Sequence, residues 1–439
     1  MKIRKSFMGG ISPAHHKTTM DNETVSLPLP SKVSIPMLQH IGAVCTPIVA
    51  KGDSVKLGQK IGDSSAAISA PIHSSVSGTV TDVRSMLYPG GFDVLSVEIR
   101  TDGQQELHES IKPFSGHSNQ ELLQAIRESG LVGLGGAGFP TTVKLSPSVD
   151  KTLDTLIING AECEPYITSD YREMLENFEG ILDGIRIAQE LTSVKNVIIG
   201  IESNKPEAIK LFNGLIGKSS GMQLAVLKTR YPQGGEKQLI YACTARKVPS
   251  GRLPADVGVL VHNINTVSFL SSYIHTGIPL IRRRVTVDGS AVQQPKNVDA
   301  PIGTSLQDLF DFCGGFKEEP YKIIMGGPMM GIAQFSLANS IVKHTNGLLA
   351  LSQREASLPS ETDCIRCGRC IRVCPMGMVP LFINANVQAG QFQENDKYHV
   401  NDCIECGCCS YTCPAKRHLV QSIRYAKAEY NKRKASEVK

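Results

Sequence analysis

Apolar residues recur with two different spacings along residues 118–280, and their alternation predicts an α/β domain. Short apolar runs at Thr155–Gly160 and Asn196–Glu202, "TLIING" and "NVIIGIE", are typical of buried parallel strands. Between them, "LENFEGILDGIRIAQEL" predicts a helix that crosses from one strand to the next. Because ligands bind beyond the carboxyl ends of such strands, we expect a site where "TLIING" ends. The polar residues that would project there are Asn159, Glu162 and Glu164.

The stretches on either side carry mainly strand signals. Residues 30–100 contain strand-like runs separated by Gly and Pro turns, and residues 282–355 combine a strand pair, one helix and further strands, as a small β-grasp module does. "VCTPIVAKGDSVKLGQKIG" followed by "ISAPIHSSVSGTVTDV" resembles the lipoyl/biotinyl-type barrel-sandwich fold. No Lys lies between Gly62 and Gly78, so we expect a rigid module rather than a carrier with a swinging arm.

Length and composition exclude several classes of protein. A chain of 439 residues is expected to contain roughly two to four domains. Its net charge of +5 gives no argument for nucleic-acid binding, so we expect no nucleic-acid partner. No apolar run approaches the length of a membrane span, and the N-terminal stretch lacks the apolar core of a signal peptide. Thirteen cysteines without such a signal indicate a reducing compartment and metal binding.

Eight of the thirteen cysteines form two copies of the run CxxCxxCxxxCP, by which bacterial ferredoxins hold 4Fe–4S clusters. The first three cysteines of a run bind one cluster, and the fourth reaches the other. One cluster is therefore expected on Cys364, Cys367, Cys370 and Cys413. The other is expected on Cys403, Cys406, Cys409 and Cys374. Cys408 is out of register with the run, and we expect that it binds no iron.

A structural zinc site is the alternative for these cysteines. Zinc needs one set of four ligands, whereas two complete runs are present, so we favour two 4Fe–4S clusters. Two neighbouring clusters conduct electrons one at a time. If the electron source is a hydride carrier, a further cofactor must divide the electron pair, and a flavin usually does so.

The stretch "GLVGLGGAGFPTT", residues 130–142, matches the dinucleotide fingerprint G-x-G-x-x-G. A plain NAD-binding Rossmann site needs a strand before this loop, but Ser118 and Glu121 predict a capping box that begins a helix there. Pro140 suits the first turn of a second helix, whose free N–H groups could bind phosphate. The stretch alone leaves two interpretations open, a phosphate-binding loop and a glycine-rich surface turn.

Four segments resemble the flavin-binding segments of the NADH-oxidising flavoprotein subunit of respiratory complex I. They are "GLGGAGFPTTVKL", "NGAECEPY", "GGEKQLI" (234–240) and "VHNINTV" (261–267). The order of the parts, over essentially the whole chain, resembles the RnfC family of the Rnf electron transport complexes. The paired cluster run is common to many ferredoxins, but its combination with "GGAGFPT", "ECEPY" and "GGPMMG" is far more specific.

The resemblance implies FMN in the glycine loop, with NAD(H) as the substrate over its ring. Close backbone approach to the flavin is implied at Gly135, Gly136 and Gly138, with Lys144 nearby. Hydrogen bonds to ribityl and phosphate groups are implied for Asn159, Asn263 and Thr266. The carboxylates that would line the flavin and nicotinamide, as the catalytic residues, are Glu162, Glu164 and Glu236. For each carboxylate, and most of all for Glu236, the alternative is a solvated surface residue.

Three positions depart from the complex I segments. Leu134 stands where that protein has Arg, His262 where it has a second Asn, and Cys163 where it has Ser. Leu134 removes a cation that could contact a phosphate, so we expect weaker nucleotide binding.

We therefore predict a multidomain protein of α/β and α+β class with four domains. They are a barrel-sandwich β domain (1–115), a Rossmann-like flavin-binding α/β domain (116–280), a β-grasp, SLBB-like module (281–355) and a helical two-cluster ferredoxin domain with a basic tail (356–439).

The resemblance implies the peripheral NAD(H)-reacting subunit of an Rnf-type ferredoxin:NAD+ oxidoreductase. Other subunits would hold it at the cytoplasmic side of the inner membrane, where the complex translocates Na+ or H+, and ferredoxin would be an indirect partner. Two alternatives stay open: a soluble corrinoid reductase of a propanediol-utilisation system, and a flavin-free iron–sulfur relay.

Overall fold

Two antiparallel sheets form the first domain of the protein in a computed structural model. The residues that the structure describes are 5–146, 151–216 and 221–437, so residues 1–4 of the predicted first domain and 438–439 of the tail lie outside them. The first strands are β1 (Val25–Ser26), β2 (Lys32–Pro36), β3 (Thr46–Pro47), β4 (Ser54–Val55), β5 (Lys60–Asp63), β6 (Ile72–His73), β7 (Gly78–Leu87) and β8 (Asp93–Thr101). One sheet has the order β2–β8–β7–β4 and the other β3–β5–β6. Alternate residues such as Val33, Ile35, Val97 and Ile99 are buried in the core of this domain. The predicted barrel-sandwich fold is confirmed.

A parallel sheet buried on both faces forms the centre of the second domain. Its strands are β9 (Thr155–Gly160), β10 (Asn196–Glu202), β11 (Met222–Leu227) and β12 (Val259–Asn263). Its helices are α1 (Asn119–Glu128), α2 (Thr141–Leu145), α3 (Ser169–Glu176), α4 (Phe178–Thr192), α5 (Pro206–Leu215), α6 (Glu236–Thr244) and α7 (Ile264–Thr276). The strands lie in the order β11–β10–β9–β12 and are all parallel. Leu156 and Ile158 enter the core on one face and Ile157 the core on the other, which explains the continuous apolar run.

The third domain is a mixed sheet covered by one helix. Its elements are β13 (Arg282–Asp288), β14 (Lys296–Pro301), α8 (Leu306–Phe312), β15 (Lys322–Met325), β16 (Ile332–Gln334), β17 (Gly347–Leu351) and the short α9 (Gln353–Ala356). The sheet order is β1–β14–β13–β17–β15–β16, so β1 from the N-terminus pairs with β14. Leu306, Leu309 and Phe310 of α8 pack on the sheet.

The fourth domain is helical and contains both cysteine runs. Its helices are α10 (Arg369–Val373), α11 (Pro380–Gln388), α12 (Cys408–Thr412) and α13 (Leu419–Glu437). Both α10 and α12 follow a glycine with positive φ, Gly368 and Gly407, so the two runs fold alike. Helix α13 buries Leu419, Val420 and Ile423 against them. Within the described ranges, no helix combines the length and the apolar character needed to cross a bilayer.

Residues 5–27 lie outside the barrel sheets, and we call them the N-terminal segment. The Gly10 N–H donates to the carbonyl of Val373 in α10 (2.7 Å), and Thr18 Oγ1 donates to Asp288 of β13 (2.5 Å). The first predicted domain therefore combines a barrel with a segment that contacts the other domains.

Candidate functional site

The glycine loop, residues 130–142, lies against the end of β12. A Cβ on Gly135 would overlap the amide group of Asn263, whereas a Cβ on Gly136 would meet no atom within 4 Å. Gly138 has φ +70° and lies close to the ring of His344, since a Cβ there would be 3.1 Å from Nδ1. Glycine is thus required at 135 because a side chain would overlap Asn263 and at 138 because φ is positive, while the space beside Gly136 is free of described protein atoms.

The helix predicted after the loop is short. Pro140 immediately precedes α2, which has five residues and ends at Leu145. Because a helix of this length has a weak dipole, its start alone offers little attraction for a phosphate.

Thr266 and Arg283 bind the backbone of the glycine loop at Leu134. The Leu134 N–H donates to Thr266 Oγ1 (3.0 Å), and the Leu134 carbonyl accepts from Arg283 Nη2 (3.1 Å). Leu134 itself lies in the core of the second domain. The position where the complex I segment has Arg is therefore a core position here. The buried guanidinium of Arg283, from β13, lies next to the backbone of the loop instead.

Asn159, the penultimate residue of β9, is paired in register with Asn263, the last residue of β12. Asn159 Nδ2 donates to the carbonyl of Gly234 (2.9 Å). Asn263 accepts from the N–H of Asn265 (2.9 Å), which caps α7, and its Nδ2 donates to Asp170 Oδ2 (2.7 Å). Both amides are engaged within the protein, so their predicted bonds to a cofactor would be made in addition to these.

Lys144 and Glu236 form an ion pair that solvent can reach. Lys144 Nζ lies 2.9 Å from Glu236 Oε1 and 3.3 Å from the carbonyl of Val261. Their side chains are 32% and 40% exposed. Glu236 is the first residue of α6, where the helix dipole favours a carboxylate. The pair offers an anion and a cation to an incoming ligand.

His262 is buried near this pair. The residue is 4% exposed, and Nε2 has no hydrogen-bond partner among the described residues. Burial, with a smaller effect from the charge of Lys144, lowers the pKa of His262 to about 3, so the ring is neutral near pH 7. A buried, unpaired ring nitrogen is costly, and a bound ligand could satisfy it.

Glu162 lies in the 161–168 loop, which joins β9 to α3. Its Oε1 accepts from the N–H groups of Asp170 (2.6 Å) and Tyr171 (3.3 Å) at the start of α3. Its Oε2 lies 3.8 Å from Lys17 Nζ, and the side chain is 3% exposed. Burial raises the pKa of Glu162 to about 7, although Lys17 opposes this shift.

Glu164, in the same loop, connects the second domain to the third. Its carboxylate accepts from the N–H groups of Met329 (3.0 Å) and Met330 (2.9 Å) in the "GGPMMG" turn. The hydroxyl of Tyr231 lies 3.5 Å from Glu164 Oε1. Burial raises the pKa of Glu164 to about 7. Of the three predicted carboxylates, Glu236 is thus open to solvent, while Glu162 and Glu164 are enclosed by protein.

The cysteines predicted for the second cluster line a single cavity. They are Cys374, Cys403, Cys406 and Cys409. Burial raises the pKa of the Cys403 thiol to about 11, and the neighbouring Cys406 and Cys374 add to the shift. Four cysteine sulfurs around one cavity fit the donor set of a 4Fe–4S cluster.

The cysteines predicted for the first cluster lie nearer the surface. Cys370 and Cys413 pack in the core of the fourth domain, while Cys364 and Cys367 are exposed. Within the described ranges, no three His, Cys, Asp or Glu side chains converge as ligands of one metal ion.

Tyr231 lies between the 161–168 loop and the second cysteine run. It is 1% exposed and packs with Cys406 and Cys408 of the second run and with Cys163 of the 161–168 loop. Its backbone carbonyl accepts from Cys408 Sγ (3.9 Å). The cavity of the second cluster therefore lies beside the loop that carries Glu164.

Four residues of this site were not predicted from the sequence: Lys17, Asp170, Tyr231 and Arg283. Arg283 had a usable signal, because it shares the inward face of β13 with Val285 and Val287. The other three carry no comparable pattern, since their partners are distant in sequence.

Four family models match the chain. They are the RnfC barrel sandwich hybrid domain at residues 5–104, the Nuo51 FMN-binding domain at 126–272, the SLBB domain at 284–333 and a 4Fe–4S dicluster domain at 358–414. Their order is that of the predicted domains, and the FMN and 4Fe–4S cofactors follow from the second and fourth models.

Several curated proteins, all named as C subunits of ion-translocating complexes, are similar over nearly the whole chain. The one from the proton-translocating ferredoxin:NAD(+) oxidoreductase complex of Clostridium ljungdahlii is 47% identical over 97% of this chain and 94% of its own. The one from the Na(+)-translocating ferredoxin:NAD(+) oxidoreductase complex of Acetobacterium woodii is 44% identical over 97% of each chain. The one from the ion-translocating oxidoreductase complex of Rhodobacter capsulatus is 42% identical over 98% of this chain and 84% of its own.

Among solved structures, an NAD+-reducing [NiFe]-hydrogenase in the air-oxidized state is similar with a TM-score of 0.50 and 18% identity, over 64% of this chain and 55% of that one. At this identity it supports the fold alone.

The full-length relatives favour a component of a complex over a corrinoid reductase, and the FMN-binding model favours a flavoprotein over a flavin-free relay. The protein, with its FMN-binding and 4Fe–4S dicluster domains, therefore belongs to the RnfC family of ion-translocating ferredoxin:NAD+ oxidoreductase complexes.

Proposed function

We propose that this protein is the NAD(H)-reacting subunit of a membrane-bound Rnf-type ferredoxin:NAD+ oxidoreductase. It exchanges hydride between NAD(H) and FMN, and single electrons pass through its two 4Fe–4S clusters to or from the membrane subunits. The complex couples this transfer to translocation of Na+ or H+, with this protein held peripherally on the cytoplasmic side. The names of its full-length relatives support this assignment.

Bound FMN would supply the conversion between a two-electron hydride and single electrons. The residues of the chain bind and orient the FMN and the NAD(H). The open space beside Gly136 gives room for the cofactor, and Lys144 and Glu236 offer a cation and an anion at the exposed side. The buried, unpaired Nε2 of His262 is a further group that a ligand could engage.

The proposal rests mainly on the packing of Tyr231 between the 161–168 loop and the second cysteine run. Tyr231 packs with Cys163 and Cys406, so the 161–168 loop, which carries two of the predicted flavin-site carboxylates, meets the second cysteine run at this side chain. This packing supports an order of transfer in which the cluster on Cys374, Cys403, Cys406 and Cys409 is adjacent to the flavin. The cluster on Cys364, Cys367, Cys370 and Cys413, two of whose cysteines are exposed, is then the contact to a partner protein.

The test is anaerobic. The purified chain is reconstituted with iron, sulfide and FMN, and its absorption spectrum is recorded before and after addition of NADH. Joint bleaching of the flavin and cluster bands is the expected result. Bound flavin that stays oxidised would place the NAD(H) site elsewhere, and failure to bind any flavin would overturn the proposal.

A further inference from the structure

Lys17 of the N-terminal segment is buried against the backbone of the 161–168 loop. Its Nζ donates to the carbonyls of Glu162 and Glu164 (2.9 Å each) and of Ile167. Three carbonyl acceptors match the three N–H donors of an ammonium group, so the arrangement favours a charged lysine, although burial lowers the pKa of Lys17. The carboxylate of Glu162, at 3.8 Å, is its counter-ion, and the Lys17 side chain is 9% exposed.

The loop that Lys17 binds is strained. Glu162 has φ +47° and Tyr166 has φ +68°, both in the left-handed region that non-glycine residues avoid. A non-glycine residue in this region is unfavourable and persists only where its surroundings hold it. The loop carries Glu162 and Glu164, two of the predicted carboxylates of the flavin site, so their placement depends on what holds the loop.

Neighbours of Lys17 in the N-terminal segment bind the same loop. The His15 carbonyl accepts from the Tyr166 N–H (2.9 Å), and the His16 ring stacks on Tyr166 with centroids 4.9 Å apart. Thr19 Oγ1 and Thr168 Oγ1 are hydrogen-bonded at 2.6 Å. Residues that flank Lys17 in sequence on both sides thus bind the 161–168 loop, and this places the Lys17 ammonium next to the loop backbone.

We propose that Lys17 is a positioning residue of the flavin site. Its ammonium holds the 161–168 loop in the conformation that fixes the carboxyl groups of Glu162 and Glu164, so the N-terminal segment is part of a site whose other residues lie mainly in the second domain. This inference rests on the proposed function, because it concerns the same site.

The test compares Lys17→Met, which keeps the apolar stem and removes the ammonium, with wild type. In the cofactor-free protein, hydrogen–deuterium exchange should become faster at the N–H groups of Asp170, Tyr171, Met329 and Met330, which bond to the two carboxylates. In a titration, the Kd for FMN should rise at least about tenfold, or about 1.4 kcal/mol.

Thr18→Val is the matched control, because Thr18 lies on the same segment but bonds to Asp288 of β13. It should leave the affinity for FMN unchanged. Lys17→Gln, which keeps two N–H donors, should give an intermediate Kd and replaces Lys17→Met if that variant does not fold.

Unchanged exchange at these N–H groups would overturn the inference. So would faster exchange with an unchanged affinity for FMN, because Lys17 would then support only the fold. Wild-type protein is titrated first, so its failure to bind FMN would be recognised as a failure of the proposed function, with which this inference also falls.

Discussion

The carbonyl of Tyr231 lies 3.9 Å from Sγ of Cys408, and this contact joins the α/β domain to the second cysteine run. Cys408 is 1% exposed and immediately precedes the predicted ligand Cys409. The additional thiol of the run thus takes part in a contact between domains and also lines the cavity of the second cluster, and that it binds no iron stays a prediction.

Substitution of cysteines in the second run should separate ligands from non-ligands. Cys406→Ser should reduce bound iron from about eight to about four atoms per chain, because a 4Fe–4S cluster needs its four thiolates. Cys408→Ala is the matched control and should retain about eight. Iron and acid-labile sulfide assays on the reconstituted proteins provide the measurement. Full iron content in Cys406→Ser, or loss in Cys408→Ala, would contradict the assigned ligand set.

The order of the clusters leads to a second expectation. We call the cluster predicted on Cys364, Cys367, Cys370 and Cys413 the surface cluster. Cys367→Ser removes one of its ligands, so NADH should still reduce the other cluster through the flavin. Cys406→Ser removes a ligand beside Tyr231, and NADH should then leave the surface cluster oxidised or reduce it far more slowly. Electron paramagnetic resonance after rapid freezing distinguishes the two. Equal rates in both variants would show that the clusters do not act in this order.

Two adjacent glycines should respond differently to alanine. At Gly136 the new Cβ points into open space, so the melting temperature should stay the same while the affinity for FMN falls at least about tenfold. At Gly135 the Cβ overlaps the Asn263 amide, so Gly135→Ala should destabilise the fold by about 1–3 kcal/mol. Thermal unfolding and FMN titration test both. An unchanged affinity in Gly136→Ala would place the flavin away from this side of the loop.

Glu236 should act in the reaction with NADH rather than in folding. The Lys144–Glu236 pair is partly exposed, and such pairs contribute at most about 1 kcal/mol to stability. Glu236→Gln should therefore fold normally and bind FMN, but kcat/KM for NADH should fall at least about tenfold, or about 1.4 kcal/mol. Stopped-flow bleaching of the flavin measures this. Glu394→Gln, which breaks an exposed pair with Lys397, is the control. Unchanged kinetics in Glu236→Gln would support the solvated carboxylate instead.

Local patterns were sufficient to predict much of the fold. The strands at Thr155–Gly160 and Asn196–Glu202 have the predicted bounds, because a buried parallel strand is apolar on both faces. The capping box of Ser118 and Glu121 also forms as predicted. Both signals depend on residues close in sequence.

Contacts between distant residues escaped the sequence analysis. Lys17 lies 145 residues from Glu162, and nothing in the N-terminal pattern indicates that it is buried. Glu164 was expected near the flavin, but which N–H groups it binds depends on how the third domain packs on the second. Such contacts follow from domain packing, which periodicity does not encode.

His262 should give the stability of the cofactor-free protein a defined pH dependence. Burial lowers its pKa from 6.5 to about 3, so the unfolded chain binds more protons than the folded chain between these values. His262 therefore destabilises the fold as the pH falls below 6.5, by at most about 1.4 kcal/mol per pH unit, and has no such effect above it. His262→Asn removes this ionisation, so the stability difference between wild type and variant should be constant above pH 6.5 and should shift in favour of the variant in acid. Urea unfolding across this range measures the difference, with His117→Asn at an exposed position as the control. Parallel curves for wild type and His262→Asn would mean that the ring is accessible to water and protonates in the folded protein.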